Sequence, residues 1–179
     1  MRPSTDIDPA VPLRARNGDQ AAFAELVEFF HVRALRYARY MLGDDEDAEE
    51  AVQDTFVRVY DHIGQFRPDA RFEPWLFRIL ANRCRTARER RRRRESLVTT
   101  GELPAVAAEA PDASQDMLEE VEAALECLPP EQREAFLLRH VEDLSYEDMA
   151  VITGARLSTL RMRVKRACDA LRTQLQQET

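Results

Sequence analysis

The chain has 179 residues, room for one ordinary domain or two small ones, and a formal net charge of −7. Charged residues make up 33% and glycines number only five, which suits a soluble helical protein and excludes collagenous or low-complexity architectures. No apolar run approaches a membrane span, and the N-terminal stretch MRPSTDIDPAVPLRARNGD has no apolar signal core, so a cytoplasmic protein is expected.

Helical periodicity dominates, with no convincing alternating strand pattern, so an all-α fold is expected. Asp19, after Gly18, is placed to cap a helix with the stripe Phe23, Leu26, Val27, Phe30, Ala34, Tyr37, Ala38 and Met41, ended by Gly43. The acids Asp44–Asp47 suit the positive N-terminus of a second helix. Its inward face would be Ala48, Ala51, Val52, Thr55, Phe56, Val59, Tyr60 and Ile63. Its outward face would carry Glu46, Glu49, Glu50, Gln53, Asp54 and Asp61. Such a face is either simply solvated or, with Gln53 and Val57 exposed in it, a dock for a basic partner protein.

A loop, GQFRPDAR, punctuated by Gly64 and Pro68, leads into a third helix, RFEPWLFRILANRCRTARERRRRR, which holds ten arginines over residues 71–94. Phe72, Leu76, Ile79, Leu80, Cys84 and Ala87 fall on its inward side. Arg71, Trp75, Arg78, Asn82 and Arg85 share an adjoining sector, so the only tryptophan sits among guanidiniums. Arginines neutralise phosphates, aromatic rings stack on exposed bases and Asn reads base edges, a combination suited to unstacked nucleic acid. A Trp capping the core edge while arginines snorkel into solvent is the plainer alternative.

Residues 96–116 lack periodicity and contain Gly101, Pro104 and Pro111, as a flexible linker would. The division is therefore a domain over 1–95, a linker over 96–116 and a second domain over 117–179. The latter opens with the amphipathic MLEEVEAALECL, stops at Pro129-Pro130, and restarts with Pro130 at the head of EQREAFLLRHVED. SYEDMAVIT follows, with Ser145 as N-cap and Asp148 at the capping-box position, then Gly154 and STLRMRVKRACDALRTQL. Two helices broken by Gly, the second basic, resemble a helix-turn-helix. Leu160, Val164, Ala167 and Leu171 point inward; Ser158, Met162, Lys165 and Arg166 point outward, flanked by Thr159 and Arg161. That face can enter a major groove, or the helix can be a basic amphipathic member of a bundle.

Cys84, Cys127 and Cys168 are far apart and read as small buried hydrophobes; His31, His62 and His140 stand alone. No metal site, cofactor, phosphate-binding Gly loop or nucleophile–base pair is found, so no catalytic residue is assigned and an enzyme is not expected.

At this point the chain resembles a known family. Residues 47–93, DAEEAVQDTFVRVYDHIGQFRPDARFEPWLFRILANRCRTARERRRR, are similar to region 2 of bacterial sigma factors of the extracytoplasmic-function type. Residues 125–172, LECLPPEQREAFLLRHVEDLSYEDMAVITGARLSTLRMRVKRACDALR, are similar to their region 4. The resemblance implies two small helical domains, a region 2 bundle and a region 4 helix-turn-helix, and a protein that directs core RNA polymerase to promoter DNA, often in stress responses. It implies that Asp47, Glu50, Gln53, Asp54 and Val57 face the polymerase. Phe66, Arg67, Arg71, Trp75, Arg78, Asn82 and Arg85 would take the melted −10 element. Ser158, Thr159, Arg161, Met162, Lys165 and Arg166 would take the −35 duplex, and an anti-sigma factor would be a partner. The sequence departs from the family in opening the recognition helix with Ser158-Thr159-Leu160-Arg161-Met162-Arg163, where many members have Gly-Thr-Val-Lys-Ser-Arg. It also has Pro68-Asp69 where the loop often carries Gly. The end at Thr179 leads us to expect no appended sensor domain. A sigma mimic that sequesters an anti-sigma protein and a stand-alone helix-turn-helix regulator are the alternatives; the first need not keep a basic aromatic face, and the second leaves residues 44–63 idle.

Overall fold

Asp19 and Asp44 each start a helix by offering a carboxylate to an otherwise unpaired backbone N–H, Ala22 N at 3.0 Å and Asp47 N at 2.9 Å. These caps open α2 (Gln20–Leu42) and α3 (Asp45–His62), the long antiparallel pair of the N-terminal half. The computed structural model describes residues 7–97, 121 and 123–177, and among these there is no strand. In chain order the elements are α1 (Ala10–Arg16), α2, α3, a 3-10 turn (Ile63–Gln65), α4 (Phe72–Leu97), α5 (Pro130–Phe136), a π turn (Leu137–Val141), α6 (Tyr146–Thr153) and α7 (Leu157–Gln177). The fold is all-α with two small helical domains. The expected linker lies outside the described residues from 98 onward, while its first two positions, 96 and 97, belong to α4. Of the helix expected at 117–128, residues 123–126 are helical and 117–120 lie outside the described residues.

The α2 stripe is buried at Leu26, Phe30, Ala34, Tyr37, Ala38 and Met41, and only half-buried at Phe23 and Val27. On α3 every expected inward residue is buried except Tyr60, which is 56% exposed. The reason is angular: at 100° per residue Tyr60 lies at the edge of the arc centred on Val52, Phe56 and Val59. Its ring packs edge-on against Phe23 at 5.1 Å.

Helix α1 went unread in the sequence. Seven residues with Pro12 inside show no periodic stripe, yet Asp8 accepts from Ala10 N at 2.9 Å and Val11 and Ala15 are buried. Proline costs little there, because first-turn N–H groups have no intrahelical acceptor.

Helix α4 is buried over a wider arc than one partner explains. Phe77 and Ala81 join Phe72, Leu76, Leu80 and Cys84 in the core, and Ile79 and Ala87 are half-buried. It packs against α2 and α3 on one side and against α6 of the C-terminal half on another. Phe77 meets Tyr37 edge-on at 5.6 Å and lies under the Arg33 guanidinium at 5.5 Å.

Gly43 closes α2 in the left-handed region at φ 64°, its N–H on Arg39 O at 2.8 Å. A Cβ there would only push aside the movable end of the exposed Glu126 side chain, so the penalty for a side chain lies in the left-handed backbone. Gly43→Ala should therefore cost about 1–2 kcal/mol and lower the melting temperature by a few degrees. Gly64→Ala, which meets nothing and has no positive φ, should change it little; equal effects in a thermal melt would overturn this account.

Ser145 caps α6, accepting from Asp148 N at 3.1 Å, and Gly154 ends it at φ 72°. Pro130 opens α5 at its first turn. The turn between α6 and α7 is therefore set by residues the sequence already displays.

Candidate nucleic-acid interface

The outer sector of α4 begins at an aromatic cluster. Phe66 and Phe72 are 5.4 Å apart, and each is 5.6 Å from the half-buried Trp75 ring. Phe66, expected on the DNA side of its loop, is only 3% exposed. The loop turns back on a 3-10 turn and drops that ring between α4 and the core, so Phe66 fixes the indole rather than presenting a face of its own. Beside it Arg67 clips Asp69 through two hydrogen bonds of 3.1 and 2.8 Å. That pairing holds the exposed Asp69 carboxyl below its usual range.

Arg67, Arg71, Arg78 and Asn82 are exposed, and Arg85 is half-buried. Arg85 Nη1 donates to Asn82 Oδ1 at 2.7 Å, which fixes the amide with its NH2 end free to donate. The five sector residues from Arg71 to Arg85 do share one side. Two of them are also engaged: Arg71 bonds Asp148 and Glu73, and Arg85 bonds Glu134 at 2.7 Å. Both Asp148 and Glu134 come from the C-terminal half.

Helix α7 presents the second surface. Ser158, Thr159, Arg161, Met162, Lys165 and Arg166 are all exposed, while Leu160, Val164, Ala167 and Leu171 are buried. The Arg161 guanidinium lies 5.5 Å over the Tyr146 ring, which props it at the start of the helix. Arg163, between the faces, pairs with Glu131 at 2.7 Å. Among the described residues none of Arg161, Lys165 and Arg166 makes an ion pair.

The five residues expected to face the polymerase divide between two grooves. Gln53 and Val57 line an apolar groove of about 700 Å³ between α2 and α3, with Phe23, Val27, Leu35, Phe56 and Tyr60. Asp47, Glu50 and Asp54 line a charged groove of about 410 Å³ between α3 and α4, opposite Arg83, Arg90, Arg93 and Arg94. The apolar groove escaped the sequence reading, although Tyr60 at the edge of its helical arc was a signal for it. Val57 is 55% exposed at its rim.

Of the cysteines, Cys84 is buried as expected and its thiol is pushed up to about 12 by burial, so it is inert. Cys127 is exposed rather than buried, because it falls where the helical turn 123–126 ends. Cys168 is half-buried with its sulfur 3.5 Å from His140 Nε2, so that histidine has a neighbour the sequence did not show. Among the described residues no three of His, Cys, Asp and Glu stand together to hold a metal, and no helix is long and apolar enough to cross a membrane.

A helical bundle with a guanidinium-and-indole ridge, joined to a helix-turn-helix whose Arg161, Lys165 and Arg166 make no ion pair among the described residues, has the make-up of a two-part nucleic-acid-binding protein. Residues 26–94 match Sigma-70 region 2 and residues 118–171 match Sigma-70, region 4. The chain is 36% identical over 166 residues to the ECF RNA polymerase sigma factor SigE of Mycolicibacterium smegmatis, with 88% of this chain covered; it spans 64% of that protein's length. It is 32% identical over 176 residues to the RNA polymerase sigma-H factor of Pseudomonas aeruginosa, covering 91% of each. It is 30% identical over 182 residues to the ECF RNA polymerase sigma-E factor of Salmonella typhimurium, covering 94% of each. Among solved structures, CnrH in complex with the cytosolic domain of CnrY has a TM-score of 0.76 at 27% identity, covering 97% of this chain and 100% of that one. The sigma factor RpoE in complex with the anti-sigma factor NepR from Bartonella quintana also gives 0.76 at 27%, covering 86% and 96%. The chain belongs to the extracytoplasmic-function sigma factors of the sigma-70 family. It is thus an RNA polymerase sigma factor, a transcription initiation factor that binds DNA.

Proposed function

We propose that the outer sector of α4 grips the separated −10 strand while α7 reads the −35 duplex, in a cytoplasmic sigma factor with domains near 1–95 and 117–179. Arg67, Arg71, Arg78 and Arg85 neutralise phosphates, Trp75, itself held by the Phe66–Phe72 cluster, stacks on an unstacked base, and Asn82 donates to a base edge. No covalent chemistry is required of this chain. Opening follows because these groups bind separated strands better than paired ones, and a ligand shifts an equilibrium by its differential affinity.

The observation that carries the reading is the contrast on α7: six exposed residues on one face, with three cations free of ion pairs among the described residues. Ser158 and Thr159 near the helix start suit phosphate, and Arg161, Met162, Lys165 and Arg166 suit the groove. Arg161→Ala with Lys165→Ala should weaken binding to a −35 duplex and reduce the slope of log affinity against log salt by about 2. An unchanged slope in a fluorescence-anisotropy titration would reject the groove assignment.

Core polymerase docks on the α2–α3 side, with Gln53, Val57 and Tyr60 in the apolar groove and Asp47, Glu50 and Asp54 on the acidic flank. An anti-sigma factor is the second protein partner, a reading supported by the structural neighbour RpoE, which is bound to the anti-sigma factor NepR.

A further inference from the structure

Between the two halves of the chain, ion pairs line a seam whose apolar part is α4 packed on α6. The Glu142 side chain is fully buried there, accepting from Arg33 Nε at 2.9 Å and Arg36 Nη2 at 2.8 Å. Arg33 also bonds Glu73. Arg133, itself buried, reaches across to the carbonyls of Tyr40 at 3.4 Å and Met41 at 3.3 Å, at the C-terminal end of α2, and to that of Glu126. The Arg85–Glu134 pair stands farther along α4 and the Arg71–Asp148 pair just before its start.

Two features make this seam separable. Arg33 Nη1, Tyr37 OH and Arg133 Nε are buried in it with no hydrogen-bond partner, so its polar groups are only partly satisfied. Burial of ion pairs costs desolvation that their attraction offsets poorly, so these pairs add little to the stability that the apolar contact supplies. The corner that delivers Glu142 is irregular as well, a π turn followed by Asp143 at φ 53°.

The two outer pairs are asymmetric. The carboxylates are nearly covered, with side-chain exposures of 7% for Glu134 and 13% for Asp148, whereas Arg71 is 57% and Arg85 36% exposed. A polyanion arriving from solvent therefore meets the guanidiniums first. Arg85 holds Glu134 with Nη2 and Asn82 with Nη1, so an incoming anion can replace the carboxylate without releasing the amide.

We propose that, in the free protein, Glu134 and Asp148 of region 4 occupy on Arg85 and Arg71 the positions that backbone phosphates of a separated promoter strand take. The two halves then form a latch that single-stranded DNA opens. This rests on the reading of α4 as the strand-binding ridge. It adds that strand capture and undocking of region 4 are one exchange, an anion for an anion, and that the free chain is protected from indiscriminate binding to single strands.

The test uses the full chain and a 20-nucleotide oligothymidylate, with anisotropy for affinity and small-angle X-ray scattering for separation of the halves. The variant Glu134→Gln/Asp148→Asn should bind the oligonucleotide roughly tenfold tighter than wild type, since two half-exposed pairs are worth a few-fold each. Saturating wild type with the strand should raise the radius of gyration. Glu134→Gln alone, which leaves the α6 cap untouched, should give a smaller gain in the same direction. The charge-matched control Glu25→Gln/Asp61→Asn, away from the seam, should gain little. If the seam variant gains no more than the control, or the strand binds without expanding the protein, the latch is wrong and the ridge stands. If neither wild type nor seam variant binds the strand, the ridge reading fails and takes the latch with it.

Discussion

Replacing Trp75 by alanine is expected to cut open-complex formation roughly 5- to 150-fold, while binding to a −35 duplex stays within about twofold. The magnitude is that of one base stacked on one aromatic ring, about 1–3 kcal/mol. The selectivity follows from placement: the indole stands on α4, while the face proposed for the −35 duplex is on α7. Trp75 also packs on Phe66 and Phe72, so alanine loosens the loop 66–71 that they anchor. Trp75→Phe keeps an aromatic face and should recover part of the activity. Permanganate reactivity of promoter thymines reports opening, and a gel-shift with a duplex fragment reports docking. Equal losses in both assays would show that the indole serves the fold alone.

Val57→Glu should weaken binding to core polymerase by about 3 kcal/mol, roughly 150-fold, because it drives a carboxylate into an apolar groove that a partner must desolvate. The side chain is more than half exposed and supports no core contact that folding needs, so the thermal melt should hardly move. The acidic flank predicts the opposite balance: Asp54→Asn should slow association and blunt its salt dependence while changing the dissociation rate little. Surface-immobilised core enzyme with sigma in the flow separates the two rates. Wild-type affinity for Val57→Glu would move the dock off the α2–α3 groove.

These expectations draw on different layers of the molecule. Local signals alone fixed the caps at Asp19, Asp44 and Ser145, the stops at Gly43 and Gly154, and the inward faces of α2, α3 and α7, since each depends on residues within one or two turns. The outward face of α7 was legible for the same reason: one neighbour, one stripe and a free opposite side. The short α1 was not, because seven residues with a proline carry too little period to stand out.

Tertiary structure decided the rest. Phe77 and Ala81 are buried because α4 has two neighbours, and a helix read alone suggests only one. Phe66 turned inward because the loop's path, and not its composition, sets which side faces solvent. The residues expected to face the polymerase split between two grooves because α2 flanks one edge of α3 and α4 the other. Most of all, no local signal pairs Arg33 with Glu142, which lie 109 residues apart in sequence and 2.9 Å apart in space. Periodicity reports which side of a helix avoids water; only packing of distant segments tells an arginine whether its counter-ion is a phosphate still to come or a carboxylate already present.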